Sequence, residues 1–237
     1  LTLSLPDAYK IVRYLEVGMA DFALARRNMI DGQLRPNRVT NAQLLAAVSE
    51  LPRERFLPEG LQSVAYADDD VPLGGGRYLM EPMVLARLIQ ALQPQAGDHA
   101  LVVASGRGYG AALLSKLVKS VVAVESDAAL AAAAERTARD LALSGVRQVV
   151  GPLEGGDASG GPFDAILIEG AVQQVPQPIL GQLAPGGRLT TVVAGPEGGL
   201  GVAQLFVKEG DVASARPLFD AGTPLLPGFA PPPRFTF

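Results

Sequence analysis

The chain has no cysteine and a single histidine. Without cysteine there can be no disulfide framework, no thiol nucleophile and no thiolate metal site. With only His99 to supply an imidazole, a His/Cys metal centre has no ligand set to draw on, and no metal is expected. His99 precedes an apolar run and reads as a strand-edge residue rather than a general base. Charge of either sign is also sparse: 20 Lys plus Arg stand against 24 Asp plus Glu, a formal net charge of -4, which gives no reason to propose a nucleic-acid partner. Hydrophobic residues make up 48% of the sequence, yet no uninterrupted apolar run approaches the ~18 residues that a membrane-spanning helix needs. No secretory leader is visible, so a soluble, cytoplasmic protein is expected.

What is present is a chain of 237 residues, enough for one large α/β domain with a sizeable core. Residues 1–18 differ in texture from the rest of the chain and read as an N-terminal arm or extension. Residues 19–237 read as a single domain that carries an N-terminal helical cap at 19–82. Within the cap, 20–30 has a helical pattern, and in "VTNAQLLAAVSELP" Thr40 or Asn41 can cap an apolar stripe ending before Pro52. The stretch 53–82 is rich in turn residues, with three acids followed by Gly74, Gly75 and Gly76. It reads either as a pocket-lining loop or as a surface connection, ahead of a helix beginning near Pro82.

From His99 the rhythm becomes strand, helix, strand. "ALVVA" reads as a buried strand, 106–117 as its helix and "SVVAVE" as the next strand. "DAALAAAAERTARDLALSG" predicts a long helix ending at Gly145, followed by the short strand "VRQVV". "FDAILIEG" and "GRLTTVV" supply two more strands with a helix around 176–183 between them. "GVAQLFVKEGDVASARPLF" reads as two strands joined through Lys208–Asp211. The pattern describes an α/β fold with a doubly wound, mostly parallel sheet and a hairpin-like end. The proline-rich tail "LLPGFAPPPRF" has no place inside a regular element.

Several separated segments occur in a telling order: "MIDGQLRPNRVT", "LPRERFLP", "VPLGGGRYLMEP", "GRGYGAALLSKL", "FDAILIEGAVQQVP" and "LAPGGRL". Together they resemble the protein-L-isoaspartate O-methyltransferase family, in a bacterial branch, over essentially residues 19–237. The resemblance implies a Rossmann-like methyltransferase domain with S-adenosylmethionine as methyl donor. It implies methyl transfer to the free carboxylate of isoaspartyl residues in damaged proteins or peptides.

Carried over position by position, the resemblance assigns cofactor binding to Ser105, Gly106 and Gly108 of the glycine turn and to Glu125, whose carboxylate would accept from the ribose hydroxyls. Two family features are altered in the turn. The acid before it is Val102, which offers no charge to a sulfonium, and its first glycine is Ala104. Arg107 adds a cation beside a helix start that already favours anions; it either retunes the site or points into water. The Gly-Asp pair that contacts adenine in the family is Gly151-Pro152, with Asp157 nearby but out of register.

At the end of the fourth strand, Glu169 stands where small or hydroxyl residues are frequent in the family. It is a candidate to offset Arg107 or a bound sulfonium, or else an ordinary strand-end acid. The segment that places hydroxyls near the reacting carboxylate is Tyr78-Leu79-Met80-Glu81-Pro82. Tyr78 keeps a hydroxyl, Met80 has none, and an acidic Glu81 would oppose an acidic substrate unless turned away or protonated. Tyr78 and Glu81 are the candidate catalytic positions. Tyr109 reads as helix packing or a pocket wall, and Arg35, Arg38 and Arg77 read either as a positive rim or as solvated surface.

Three functions are compatible with these features. The first is an S-adenosylmethionine-dependent carboxyl methyltransferase of the isoaspartyl-repair type. The second is a non-catalytic methyltransferase-fold interaction protein, which a cleft filled by its own side chains would favour. The third, a dinucleotide-dependent oxidoreductase, meets a GxGxG rather than a GxGxxG spacing, with Ala111 in the last glycine position.

Overall fold

Alternate residues of the apolar runs separate onto two faces. Ala100 and Val102 pack in one core cluster, and Leu101 and Val103 in the other. Ala165 and Leu167 divide from Ile166 and Ile168 in the same way. A strand buried on both faces needs covering layers on both sides, which is why these runs are continuously apolar. The computed structural model describes residues 21–195 and 199–229. The expected arm at 1–18 lies outside the described residues, as do residues 230–237 of the proline-rich tail.

The sheet has seven strands: β3 (His99–Val103), β4 (Ser120–Glu125), β5 (Val146–Val150), β6 (Phe163–Val172), β7 (Leu183–Val193), β8 (Gly201–Glu209) and β9 (Val212–Ala221). Their order is β5-β4-β3-β6-β7-β8-β9. The first five in this order pair in parallel, and β8 and β9 close the edge as an antiparallel meander. The chain turns from β3 to β4 on one side and returns to β6 on the other. The switch point, where ligands bind in such sheets, therefore lies beyond the C-terminal ends of β3 and β6.

Ahead of the sheet come α1 (Phe22–Met29), continued by a wide turn at Ile30–Leu34, and α2 (Ala42–Glu50). The Asn41 side chain caps α2 by accepting from the Leu44 N–H at 2.9 Å. Short 3-10 turns at Arg53–Phe56 and Glu59–Val64 lead to a separate two-stranded hairpin, β1 (Val71–Gly74) and β2 (Arg77–Leu79). The hairpin lies inside the stretch expected to be a loop. Helix α3 (Pro82–Ala91) comes next, with Pro82 in its first turn, where a missing N–H costs nothing.

Between the parallel strands run α4 (Tyr109–Ser115), α5 (Ala128–Asp140) and α6 (Gln177–Gly181). Two boundaries differ from those expected. Helix α4 begins at Tyr109 rather than 106, because Gly106 and Gly108 hold φ of 54° and 91° in the turn before it. Helix α5 stops at Asp140, and the chain leaves it through left-handed Ala142 and Gly145.

Candidate active site

The turn after β3 is built by local chemistry. Ser105 N–H donates to the Val124 carbonyl at 3.1 Å, and Gly108 N–H closes the turn on the Ser105 carbonyl at 2.7 Å. The Ser105 hydroxyl accepts from Gln148 Nε2 at 3.2 Å. Ala104, where the family has glycine, is buried with φ of 61°, a left-handed conformation that strains an L side chain. Val102 lies wholly in the core. Gly108 is needed for close packing as well as for its φ, since a Cβ there would sit 3.1 Å from that of Ala134.

Glu125 ends β4 and is fully buried. Its carboxylate receives the Gly106 N–H at 2.9 Å, the Ser126 N–H at 2.7 Å and the Asp127 N–H at 3.0 Å. Asp127 then caps α5, accepting from Ala129 and Leu130 N–H. The structure thus brings Gly106 and Glu125 into direct contact. The remaining contact was not expected: Arg77 Nε of β2 pairs with both Glu125 oxygens, at 3.1 and 3.3 Å, while its Nη2 donates to Ser126 Oγ at 2.7 Å. Arg77 is 5% exposed. It is therefore no part of a positive rim; a buried guanidinium at this position is held by its carboxylate partner. Arg35 does face solvent, paired with Asp31.

Two chain segments roof this end of the sheet. Leu73 of β1 lies over Gly106, where a Cβ would meet its Cδ1 at 2.9 Å. The segment 224–229 runs beside β6, with Leu226 N–H donating to the Ala171 carbonyl at 2.8 Å and Ala171 N–H to the Pro224 carbonyl at 3.0 Å. Leu226 packs on Gly170, and Pro227 lies over Gly76.

Glu169, at the C-terminal end of β6, faces the start of α4. Gly110 admits it: a Cβ there would stand 2.6 Å from the Glu169 Cδ. Burial first, and the nearby Glu125 charge second, push the Glu169 carboxyl up to about 8 against the opposing pull of Arg53 and the Gly110 N–H. Arg107 does not contribute to this balance; its own guanidinium is lowered by burial and by neighbouring Arg136.

Arg53, inside "LPRERFLP", carries no sequence signal of a special role, yet it is fully buried. It donates to the Ala65 and Met80 carbonyls, each at 2.6 Å, and stacks 4.9 Å from the Tyr109 ring centroid. Tyr109 in turn packs edge-on against Phe56, so it belongs to the helix packing. Arg53 Nη1, Arg77 Nη1 and Glu169 Oε1 are buried without a hydrogen-bond partner among the described residues.

Of the segment expected to supply catalytic positions, Tyr78 is half-buried on β2 and Met80 is buried. Glu81 precedes α3, its N–H held by Asp70 Oδ1 at 2.8 Å. Its carboxyl is raised by burial, then by Asp68, Asp70 and Asp69. His99 lies at the opposite end of the sheet, bridging Ser120 Oγ at 2.7 Å and the Gly160 carbonyl at 3.0 Å. Asp157 is taken up by Arg147 and Ser159.

The arrangement has clear relatives. The family model for protein-L-isoaspartate(D-aspartate) O-methyltransferase matches residues 25–217. The chain belongs to this family. Isoaspartate O-methyltransferases similar to it include one from Methylorubrum populi, 40% identical over 74% of this chain and 82% of its own length. Another, from a Roseiflexus species, is 36% identical over 89% and 95%. A solved protein-L-isoaspartate O-methyltransferase superimposes with a TM-score of 0.76 at 25% identity, covering 86% of this chain and 66% of that one. A structure from Plasmodium falciparum, described as a complex with S-adenosyl-L-homocysteine, gives a TM-score of 0.70 at 18% identity, covering 86% and 97%; it supports the Rossmann-like methyltransferase fold. Among the described residues, no helix is long and apolar enough to cross a membrane.

Proposed function

We propose that this chain is an S-adenosylmethionine-dependent carboxyl O-methyltransferase of the isoaspartyl-repair type, acting on damaged proteins or peptides in the cytoplasm. The observation that carries the reading is the contact between the glycine turn and Glu125 at the switch point, in a chain belonging to this family. The residues fit such a cofactor in part. Glu125 supplies the acid for a ribose, the turn at Ser105, Gly106 and Gly108 supplies the close backbone approach, and Arg77, Arg107 and Glu169 each keep a buried polar atom without a partner among the described residues. When bound, the cofactor supplies a methyl group on a sulfonium.

The chain's own residues then have positioning to do. Tyr78 and the protonated form of Glu81, which burial and the neighbouring aspartates favour, flank the acceptor side and orient the carboxylate by donating to it, since methyl transfer depends chiefly on aligning the attacking oxygen. With Val102 apolar, Glu169 is the carboxyl left near the end of the central strands, and being held protonated by burial it offsets a cationic ligand only when that ligand's charge draws it into the ionised form. A second reading, a non-catalytic interaction protein, draws on the occupation of the cleft by Leu73 and Arg77. Methyl transfer from labelled S-adenosylmethionine separates the two. The enzyme reading expects label on a peptide containing isoaspartate and none on its aspartyl twin; no label on either peptide overturns it.

A further inference from the structure

A carboxylate has about four lone-pair sites, and those of Glu125 are fully taken. Three go to backbone N–H groups of Gly106, Ser126 and Asp127, which the turn and the helix cap hold in place. The fourth, on Oε2 beside the Gly106 N–H, goes to Arg77, whose Nε is shared between Oε1 at 3.1 Å and Oε2 at 3.3 Å; it is the only side-chain donor among these four and stands on a three-residue strand outside the main sheet. The Ser126 hydroxyl stands farther off, 3.4 Å from Oε1. A ribose diol reaching Glu125 must take the place of a donor already there, and Arg77 is the donor that can leave without opening the turn after β3 or unwinding the start of α5.

We propose that Arg77 is an internal competitor for the cofactor's ribose, so that loading the site is an exchange of guanidinium for hydroxyls at Glu125. The inference rests on the methyl-donor reading above. Leu73 on Gly106 and Pro227 on Gly76 place the rest of the hairpin in the same lid, so release of Arg77 and opening of the β1–β2 hairpin are one movement. Arg77 Nη1, buried with no partner among the described residues, is poorly served in the closed arrangement. A guanidinium with an unsatisfied N–H is easier to displace than one fully bonded. The device makes cofactor affinity a property of a residue that need not touch the cofactor.

The test is calorimetric titration of wild type, Arg77→Gln and Arg77→Lys with S-adenosylhomocysteine, and with adenosine and dideoxyadenosine as smaller probes. Arg77→Gln should bind S-adenosylhomocysteine and adenosine about tenfold more tightly, the difference of one charge-assisted hydrogen bond. It should show no gain for 2′,3′-dideoxyadenosine, which lacks the ribose diol that would reach Glu125. Arg77→Lys, which keeps the charge but not the planar fork, should gain less and serves if the glutamine variant does not unfold cooperatively. Equal or weaker binding by the variants, or an equal gain for the dideoxy probe, overturns the exchange while leaving the methyl-donor reading intact. If wild type and variants alike fail to bind S-adenosylhomocysteine, both fall.

Discussion

Replacing Glu169 with Gln should stabilise this protein, by an amount that depends on pH in a way the structure sets. In the folded chain the carboxyl stays protonated until about pH 8, whereas in the unfolded chain it ionises at its ordinary 4.5. Between those values the unfolded state binds fewer protons, so stability falls as pH rises; below 4.5 and above about 8 the difference no longer changes. At about 1.4 kcal/mol per pH unit, the burden reaches about 3 kcal/mol near neutrality and about 5 kcal/mol at the upper end. Glutamine keeps the shape and does not titrate. Urea unfolding of wild type and Glu169→Gln across this range should therefore give curves that nearly meet in acid and diverge steadily toward pH 8. Parallel curves would show that Glu169 is ionised in the folded protein and that its burial is offset by Arg53.

Two further substitutions probe the turn. Ala104→Gly removes a left-handed alanine and should raise stability by about 1 kcal/mol, read as a higher urea midpoint with unchanged slope; a lower midpoint would mean that its methyl packing outweighs the strain. Gly110→Ala drives a methyl into the Glu169 carboxyl and should cost about 2 kcal/mol. Much of that loss should be recovered in the Gly110→Ala, Glu169→Ala double variant, and strict additivity in the cycle would contradict the contact.

Much of the frame is legible in the sequence because its signals are local. The continuous apolar runs at 100–103 and 121–124 mark strands buried on both faces, and Asn41 caps the helix it precedes. The family resemblance assigns Gly106 and Glu125 to one cofactor site, and the two are in contact. The features that escape are non-local or too short. Strands of four and three residues around Gly74–Gly76 carry no measurable alternation, so β1 and β2 look like a loop. Arg77 looks like a rim residue because its partner lies 48 positions away. Arg53 gives no sign that it is buried, since the carbonyls that hold it, Ala65 and Met80, are supplied by two later turns. Positive φ at Gly106 and Gly108 is what delays the start of α4, and spacing alone does not fix it.

Exchange at Glu125 is tested most directly by a crystal structure of this protein grown with S-adenosylhomocysteine. The ribose hydroxyls should lie on the Glu125 carboxylate, with Arg77 displaced and the β1–β2 hairpin moved off Gly106. A ligand bound with the Arg77–Glu125 pair still closed, or seated away from the glycine turn, would contradict the exchange.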